Sequence, residues 1–263
     1  MKKATILGAV MIAAVLVSAL PVLGQTAQDY IVKGDEFYVQ FNDQEALAQY
    51  LQALKLEPAN YEALWKTARA YVDLGDLLDP SLKDLRAKQM ATYQLGEDYA
   101  RKAVKANAND SWGYFDLAAA MGKRLLLLGA GEQVKMSKQV KSYIDKAIAL
   151  DPNNDRAYHA LGRWQRRMAE IGGLKRLLGV FLGGIPKGSF EESQKALKKA
   201  IEIKPTYGNH HLELGRTLLA LKKYKEAAQE FQACIDAPVI TSKCHLYKKE
   251  AEKELADVNK KIK

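Results

Sequence analysis

Three places in the sequence rhyme: "ALKLEPAN" around Pro58, "AIALDPNN" around Pro152 and "AIEIKPTY" around Pro205. Each closes a run in which apolar residues return at helical spacing. A proline there ends one helix, because it lacks an amide hydrogen and its ring clashes with the preceding turn. Its fixed φ then prepares the chain to enter the next helix. Read backwards from Pro58, Ala53, Tyr50 and Ala46 share one helical face, and Phe37 and Gly34 lie on the helix before it. Small residues on facing sides let two helices approach closely, so the pattern is a repeated helix–turn–helix hairpin. Runs of alternating β-branched residues are few, which argues against a sheet.

The positions of small, aromatic, small, aromatic, small and proline residues, filled by Gly34, Phe37, Ala46, Tyr50, Ala53 and Pro58, resemble the tetratricopeptide repeat (TPR). "HLELGRTLLALKKYKEAAQEFQACIDAP" repeats them with Gly215, Ala227, Phe231 and Cys234 in register. "AYHALGRW" places Tyr158, Leu161 and Gly162 at first-helix positions. The resemblance implies an all-α, TPR-like superhelical solenoid. With a period of about 34 residues, Pro152 to Pro205 is too long for one repeat and Pro58 to Pro152 too long for two. The surplus falls near 76–95 and 169–188, each between the two helices of a hairpin. Five hairpins are expected, near 27–57, 61–107, 111–150, 155–203 and 208–236, with a capping helix from about Thr241 to Ile262.

With those insertions the helical domain, 25–263, is similar over roughly Ala27 to Leu255 to the regulator of microtubule dynamics family. The segments that carry the likeness are "YEALWKTARAY", "YHALGRWQRR", "FEESQKALKKAIEIKP" and "CIDAPVITSK". The likeness implies a helical domain used for binding rather than chemistry. In eukaryotic members an N-terminal segment attaches to membranes and the helical domain serves partner or lipid contacts. No catalytic motif transfers onto these residues.

The first 24 residues read as an export signal: Lys2 and Lys3, an apolar run Ile6–Leu20, then Pro21 and a cleavage point after Gly24. The rival reading is an uncut membrane anchor, since Ile6 to Gly24 is nearly long enough to span a bilayer. Either way the body is expected outside the cytoplasm, periplasmic or secreted. Lysine and arginine number 40 against 31 acidic residues, a formal charge of +9 that favours acidic partners. Nucleic acid is not expected, because the signal sends the chain away from it. Cys234 and Cys244 are the only cysteines. They can bridge two helix ends in an oxidising compartment, or Cys234 can be a small buried thiol.

Motifs for chemistry are weak. "GVFLGGIPKGS" lacks the lysine–serine order of a phosphate loop, and Pro186 removes an amide donor. Leu174, Leu177, Leu178 and Phe181 share a helical face between glycine pairs. That short helix packs on the stack or touches a membrane surface. Glu191 and Glu192, and Asp35 in "DEF", suit first turns of helices better than acid–base work. His210 and His211 lack a third metal ligand and point to different faces. No enzyme activity, cofactor or metal is expected.

What remains is "DRAYHALGRWQRRMAE", with Arg156, His159, Arg163 and Arg166 along one side of a first helix. First helices of stacked hairpins line the concave surface. The same offsets add Trp65 and Arg69, then Trp112, Phe115 and Ala119, then Arg216. The expected groove is aromatic at one end and cationic toward the other. Its expected ligand is an acidic or amphipathic protein segment, or alternatively an anionic lipid. Against both stands local neutralisation of the arginines by Asp116, Asp155, Glu170 or Glu213. The carboxylate clamp of some TPR domains is incomplete here: His159 and Arg163 hold the equivalent positions in the fourth hairpin, and the asparagines are missing.

Overall fold

A computed structural model describes residues 24–172 and 184–262. Among these residues the chain forms eleven helices and no strand. They pair as hairpins: α1 (Ala27–Val39) with α2 (Asp43–Leu56), α3 (Tyr61–Asp76) with α4 (Leu85–Ala106), and α5 (Ser111–Leu125) with α6 (Ala130–Leu150). Then come α7 (Asp155–Ala169) with α8 (Phe190–Ile203) and α9 (Gly208–Ala220) with α10 (Tyr224–Asp236), and α11 (Cys244–Ile262) covers the end. The five expected hairpins are present.

The rhyming prolines act as read. Glu57, Asp151 and Lys204, the residues before them, are helix C-caps with ψ of 84°, 99° and 76°. Crowding by the proline ring disfavours helical ψ at that position, so the helix ends there. After Pro58 and Pro152 the next helix starts on a side-chain cap: Asn60 accepts from Ala63 N at 3.0 Å and Asn154 from Ala157 N at 2.9 Å, whereas Tyr207 after Pro205 makes no such bond. A fourth junction of the same shape, at Asn107 (ψ 101°), has Ala108 where the others have proline.

Close approach within hairpins is set by glycine against a large side chain. A Cβ on Gly34 would meet the Tyr50 ring at 2.4 Å, one on Gly75 the Tyr93 ring at 2.4 Å, and one on Gly215 the Phe231 ring at 2.5 Å. Gly162 faces Leu197 in the same way, at 2.4 Å. Tyr50, Ala46 and Ala53 are fully buried. One core cluster lies mid-stack, where Leu117, Met121, Ile144, Trp164 and Met168 meet. Core clusters at the two ends bracket it.

Two expectations change, and of the two readings of the cysteines the buried, unbridged one holds. The cap helix begins at Cys244, because Thr241 to Lys243 form a turn closed by Cys244 N donating to the Thr241 carbonyl at 3.1 Å. Much of the 76–95 surplus is a helical extension, since α4 starts at Leu85. Cys234 and Cys244 are both buried and unbridged. The Cys234 thiol donates to the Tyr247 carbonyl, and the Cys244 sulfur accepts from Ile240 N. Burial pushes the Cys234 thiol up to about 12, so it is an inert packing group. Residues 1–23, which carry the expected leader, and Leu174, Leu177, Leu178 and Phe181 lie outside the described residues.

Candidate functional site

The first helices α3, α5, α7 and α9 surround a hollow of about 510 Å³, with α6 forming part of its floor. One wall is apolar, built from Trp112, Phe115, Leu125, Val140, Ile144 and Met168. Arg69 from α3 and Arg156 and Arg163 from α7 add positive charge to the lining. The link between α10 and α11 completes the ring: Ile240, Thr241 and Lys243 line the hollow. From there Lys243 Nζ reaches Asp73 at 2.5 Å and Asp76 at 3.0 Å, both on α3.

Most of the expected groove residues meet here. Arg69, Trp112, Phe115, Arg156, His159, Arg163 and Arg216 all line the hollow. Trp65 does not reach it and instead stacks behind Trp112, ring centroids 5.3 Å apart. Arg166 is also displaced from the expected wall. The hollow-facing stripe of α7 runs through Arg156, His159, Ala160, Arg163, Trp164 and Arg167. Arg166 falls to one side of that stripe, toward α9, and is buried there against Glu213. Trp164 serves both packing and wall, its indole N–H donating to the Ser137 carbonyl at 2.9 Å.

The arginine-rich end is largely neutralised by its own acids. Glu213 is buried and pairs with Arg163 at 3.4 Å, with Arg216 at 3.0 Å and with Arg166. Burial alone would raise its carboxyl, but the three guanidinium groups hold it well below the usual range. Arg166 also binds Glu170 at 2.9 Å. Arg216 reaches Glu250 at 2.7 Å and Glu254 at 2.6 Å, clamping the cap helix. The hollow and the ion-pair network therefore coexist.

The other end differs. Arg69 lies over the Tyr38 ring at 3.8 Å and 5.1 Å from the Trp65 centroid, with a guanidinium N–H donating to the Tyr50 hydroxyl at 3.4 Å. Among the described residues no carboxylate pairs with it. Arg156 stacks on Tyr207 at 3.6 Å, and among the described residues its one paired acid is Asp155 at 3.4 Å. That acid also holds His210 Nε2 at 2.9 Å. Asp116 lines the hollow at 2 % exposure, and its Oδ2 has no hydrogen-bond partner among the described residues. Burial raises its carboxyl well above the ordinary range, against the pull of Arg69.

His159 and His210 are buried with their Nδ1 atoms 3.0 Å apart, so one donates and the other accepts. Burial depresses both imidazoles, and the nearby His210 further opposes a charge on His159. His211 turns away to Glu230 at 2.7 Å, as the spacing required. Among the described residues no group of three His, Cys, Asp or Glu side chains could hold a metal ion. Asp35 sits late in α1, not in a first turn, and accepts from Tyr50 and Lys66. Glu191 and Glu192 are in the first turn of α8, below the Ser189 cap.

Sequence reasoning missed Lys123, Lys243, Asp73 and Asp76. Asp76 carries Lys123 at 2.6 Å and Lys243, and accepts from the Tyr93 hydroxyl at 2.8 Å. Burial opposes its charge, but the two lysines hold it far below the usual range. Three of these were within reach. Carrying the groove offsets one turn further along α3 gives Asp73 and Asp76, and along α5 gives Lys123. Lys243 had no such signal, because a link residue follows no helical offset.

The profile of the family described as Regulator of microtubule dynamics protein 1-3 matches residues 30–262. The chain belongs to the regulator of microtubule dynamics family. Mouse regulator of microtubule dynamics protein 1 is 28% identical over 217 residues, which cover 81% of this chain and 69% of the mouse protein. The bovine regulator of microtubule dynamics protein 3 is 24% identical over 192 residues, 72% of this chain and 40% of the bovine one. The chain thus spans less than half of that longer relative. Among solved structures, a thermophilic TPR protein of Thermus thermophilus superposes with a TM-score of 0.61 at 18% identity, covering 89% of this chain and 98% of that one. Pseudomonas aeruginosa pilF does so with a TM-score of 0.52 at 15% identity, covering 88% and 86%. This member of the regulator of microtubule dynamics family is therefore a TPR-like helical solenoid.

Proposed function

We propose that the chain is a non-catalytic binding protein whose hollow takes up an apolar chain ending in an anionic group. The observation that carries this is a cavity lined both by apolar side chains and by Arg69 and Arg156, and bordered by the link that ends in Lys243. A volume of about 510 Å³ suits a small amphiphile. An extended peptide lying along the concave face would have to pass the Lys243 tie to α3. The test uses a fluorescent acyl-chain probe. One probe per chain should bind, and Ala119→Trp, which fills the hollow, should abolish uptake while the helical circular dichroism is kept. A purified protein that takes up no probe rejects the reading.

A second reading is supported at the rim. Arg167 and Lys204 line the mouth, are exposed and have no ion-pair partner among the described residues. They suit an acidic protein segment docked across the opening. Arg167→Glu should weaken capture of such a segment and leave acyl-probe uptake intact.

We also propose export with cleavage after Gly24, on the strength of Lys2, Lys3 and the apolar run that follows. N-terminal sequencing of the mature protein reads the cut directly, and an intact Met1 would reject it.

A further inference from the structure

The hollow holds two polar groups that its own walls leave unsatisfied. Among the described residues, Asp116 Oδ2 is buried with no hydrogen bond, and Arg69 Nε is buried with none. Both residues line the cavity, one from α5 and one from α3. A buried donor or acceptor left unmade costs about 1–3 kcal/mol, more for a charged group. Folded chains satisfy such groups or place them where a ligand will.

The charges around them are uneven. Lys243 and Lys123 are spoken for by Asp73 and Asp76, and Arg163 and Arg216 by Glu213. Arg69 has aromatic faces and a tyrosine hydroxyl but no carboxylate within ion-pair distance among the described residues, though Asp73 and Asp116 act on it from further off. Arg156 shares Asp155 with His210. The groups whose charges bear on Asp116 are Arg69 and Asp73 from α3, Arg156 from α7 and Lys243 from the link, and Asp116 in turn acts on Tyr61. With Lys243 and Asp73 paired to each other, Arg69 and Arg156 are the cations left beside Asp116, so an anion between them adds the missing negative charge.

We propose that Arg69, Arg156 and Asp116, lining the hollow from α3, α7 and α5, form an oxyanion seat, with Asp116 donating a hydrogen bond to the phosphate, sulfonate or carboxylate that ends an apolar chain. The proposal rests on the amphiphile reading above and deepens it, by placing the head away from the neutralised Glu213 cluster. Burial favours the neutral form of Asp116, the form that donates. Affinity for an anion therefore falls as pH rises and Asp116 ionises, because a donor becomes a repelling charge.

The test compares decyl phosphate, decyl sulfonate, decanol and inorganic phosphate by calorimetry on the mature chain. Decyl phosphate should bind about ten-fold or more tightly than decanol, the scale of one charge-assisted hydrogen bond. That ratio should collapse toward one in Arg69→Met and in Asp116→Ala. Decyl sulfonate keeps one charge at every pH used. Its affinity should fall with rising pH in the wild type and stay level in Asp116→Asn, whose amide always donates. If decanol and decyl phosphate bind equally, the seat is wrong and of the amphiphile reading only uptake of the apolar chain stands. If neither binds, the amphiphile reading itself fails. Inorganic phosphate bound as tightly as decyl phosphate would keep the seat and assign it to a free ion. A level pH profile for decyl sulfonate in the wild type removes Asp116 as donor. The wild-type ratio and pH profile decide the matter even where a variant fails to fold.

Discussion

Lys243 Nζ donates to Asp76 across 167 residues of sequence, at 3.0 Å, and the same ammonium lies 2.5 Å from Asp73. This contact turns a curved stack into a closed one. All three side chains are about nine-tenths buried. Removing one partner of a buried pair leaves the other charge uncompensated, which costs about 3–5 kcal/mol. Lys243→Met should lower stability to urea by an amount of that order, less whatever Lys123 recovers at Asp76. Lys243→Met combined with Asp73→Asn should regain part of the loss, since a neutral amide tolerates burial better.

Glu213 answers three arginines. Glu213→Gln should destabilise by about 3 kcal/mol and loosen the cap helix through Arg216, seen as faster hydrogen exchange in α11. The sign with pH follows from its depressed carboxyl. The folded chain stays ionised where the unfolded chain protonates. The stabilisation is present above the ordinary glutamate value and is lost progressively as pH falls from there toward the folded one.

The His159–His210 pair adds a second pH step. Both imidazoles are held below the ordinary value of 6.5, so the folded chain resists protons that the unfolded chain accepts. Stability should therefore decline as pH falls through that value. His159 is faced by Arg163, Arg156 and Glu213, and His210 by Asp155, Arg156 and His211. His159→Gln should flatten this step in a series of urea midpoints, and an unchanged slope would contradict the assignment.

Two glycines make opposite predictions. Gly34→Ala drives a methyl into the buried Tyr50 ring, an overpacking expected to cost about 1–3 kcal/mol. Gly122 lies within α5, and a Cβ there meets nothing within 4 Å. Gly122→Ala should stabilise by about 0.5–1 kcal/mol, the helix preference of alanine over glycine. Thermal melts of the two variants compare them directly.

Hairpin structure was legible because it is local. Pro58, Pro152 and Pro205 mark junctions, and Gly34, Gly162 and Gly215 mark close approaches, all within a few turns of chain. The junction at Asn107 was silent because Ala108 carries no conformational constraint of its own. Groove residues were found where one helical stripe predicts them, as with Arg69, Trp112 and Arg163. Arg166 was misplaced because two adjacent stripes of α7 are both arginine-bearing, and only Glu213 on a distant helix decides between them. The tie at Lys243 was out of reach, since it depends on the cumulative curvature of every hairpin between α3 and α11.

That curvature carries an evolutionary constraint. An open solenoid lengthens or shortens by duplicating or deleting a unit, with its remaining contacts preserved. Here the circumference is fixed: one hairpin more or fewer would part Lys243 from Asp73 and Asp76 and expose buried charge. Length variation among chains built this way should therefore accumulate in the connections within hairpins, at 77–84 and 170–189, while the number of hairpins stays at five.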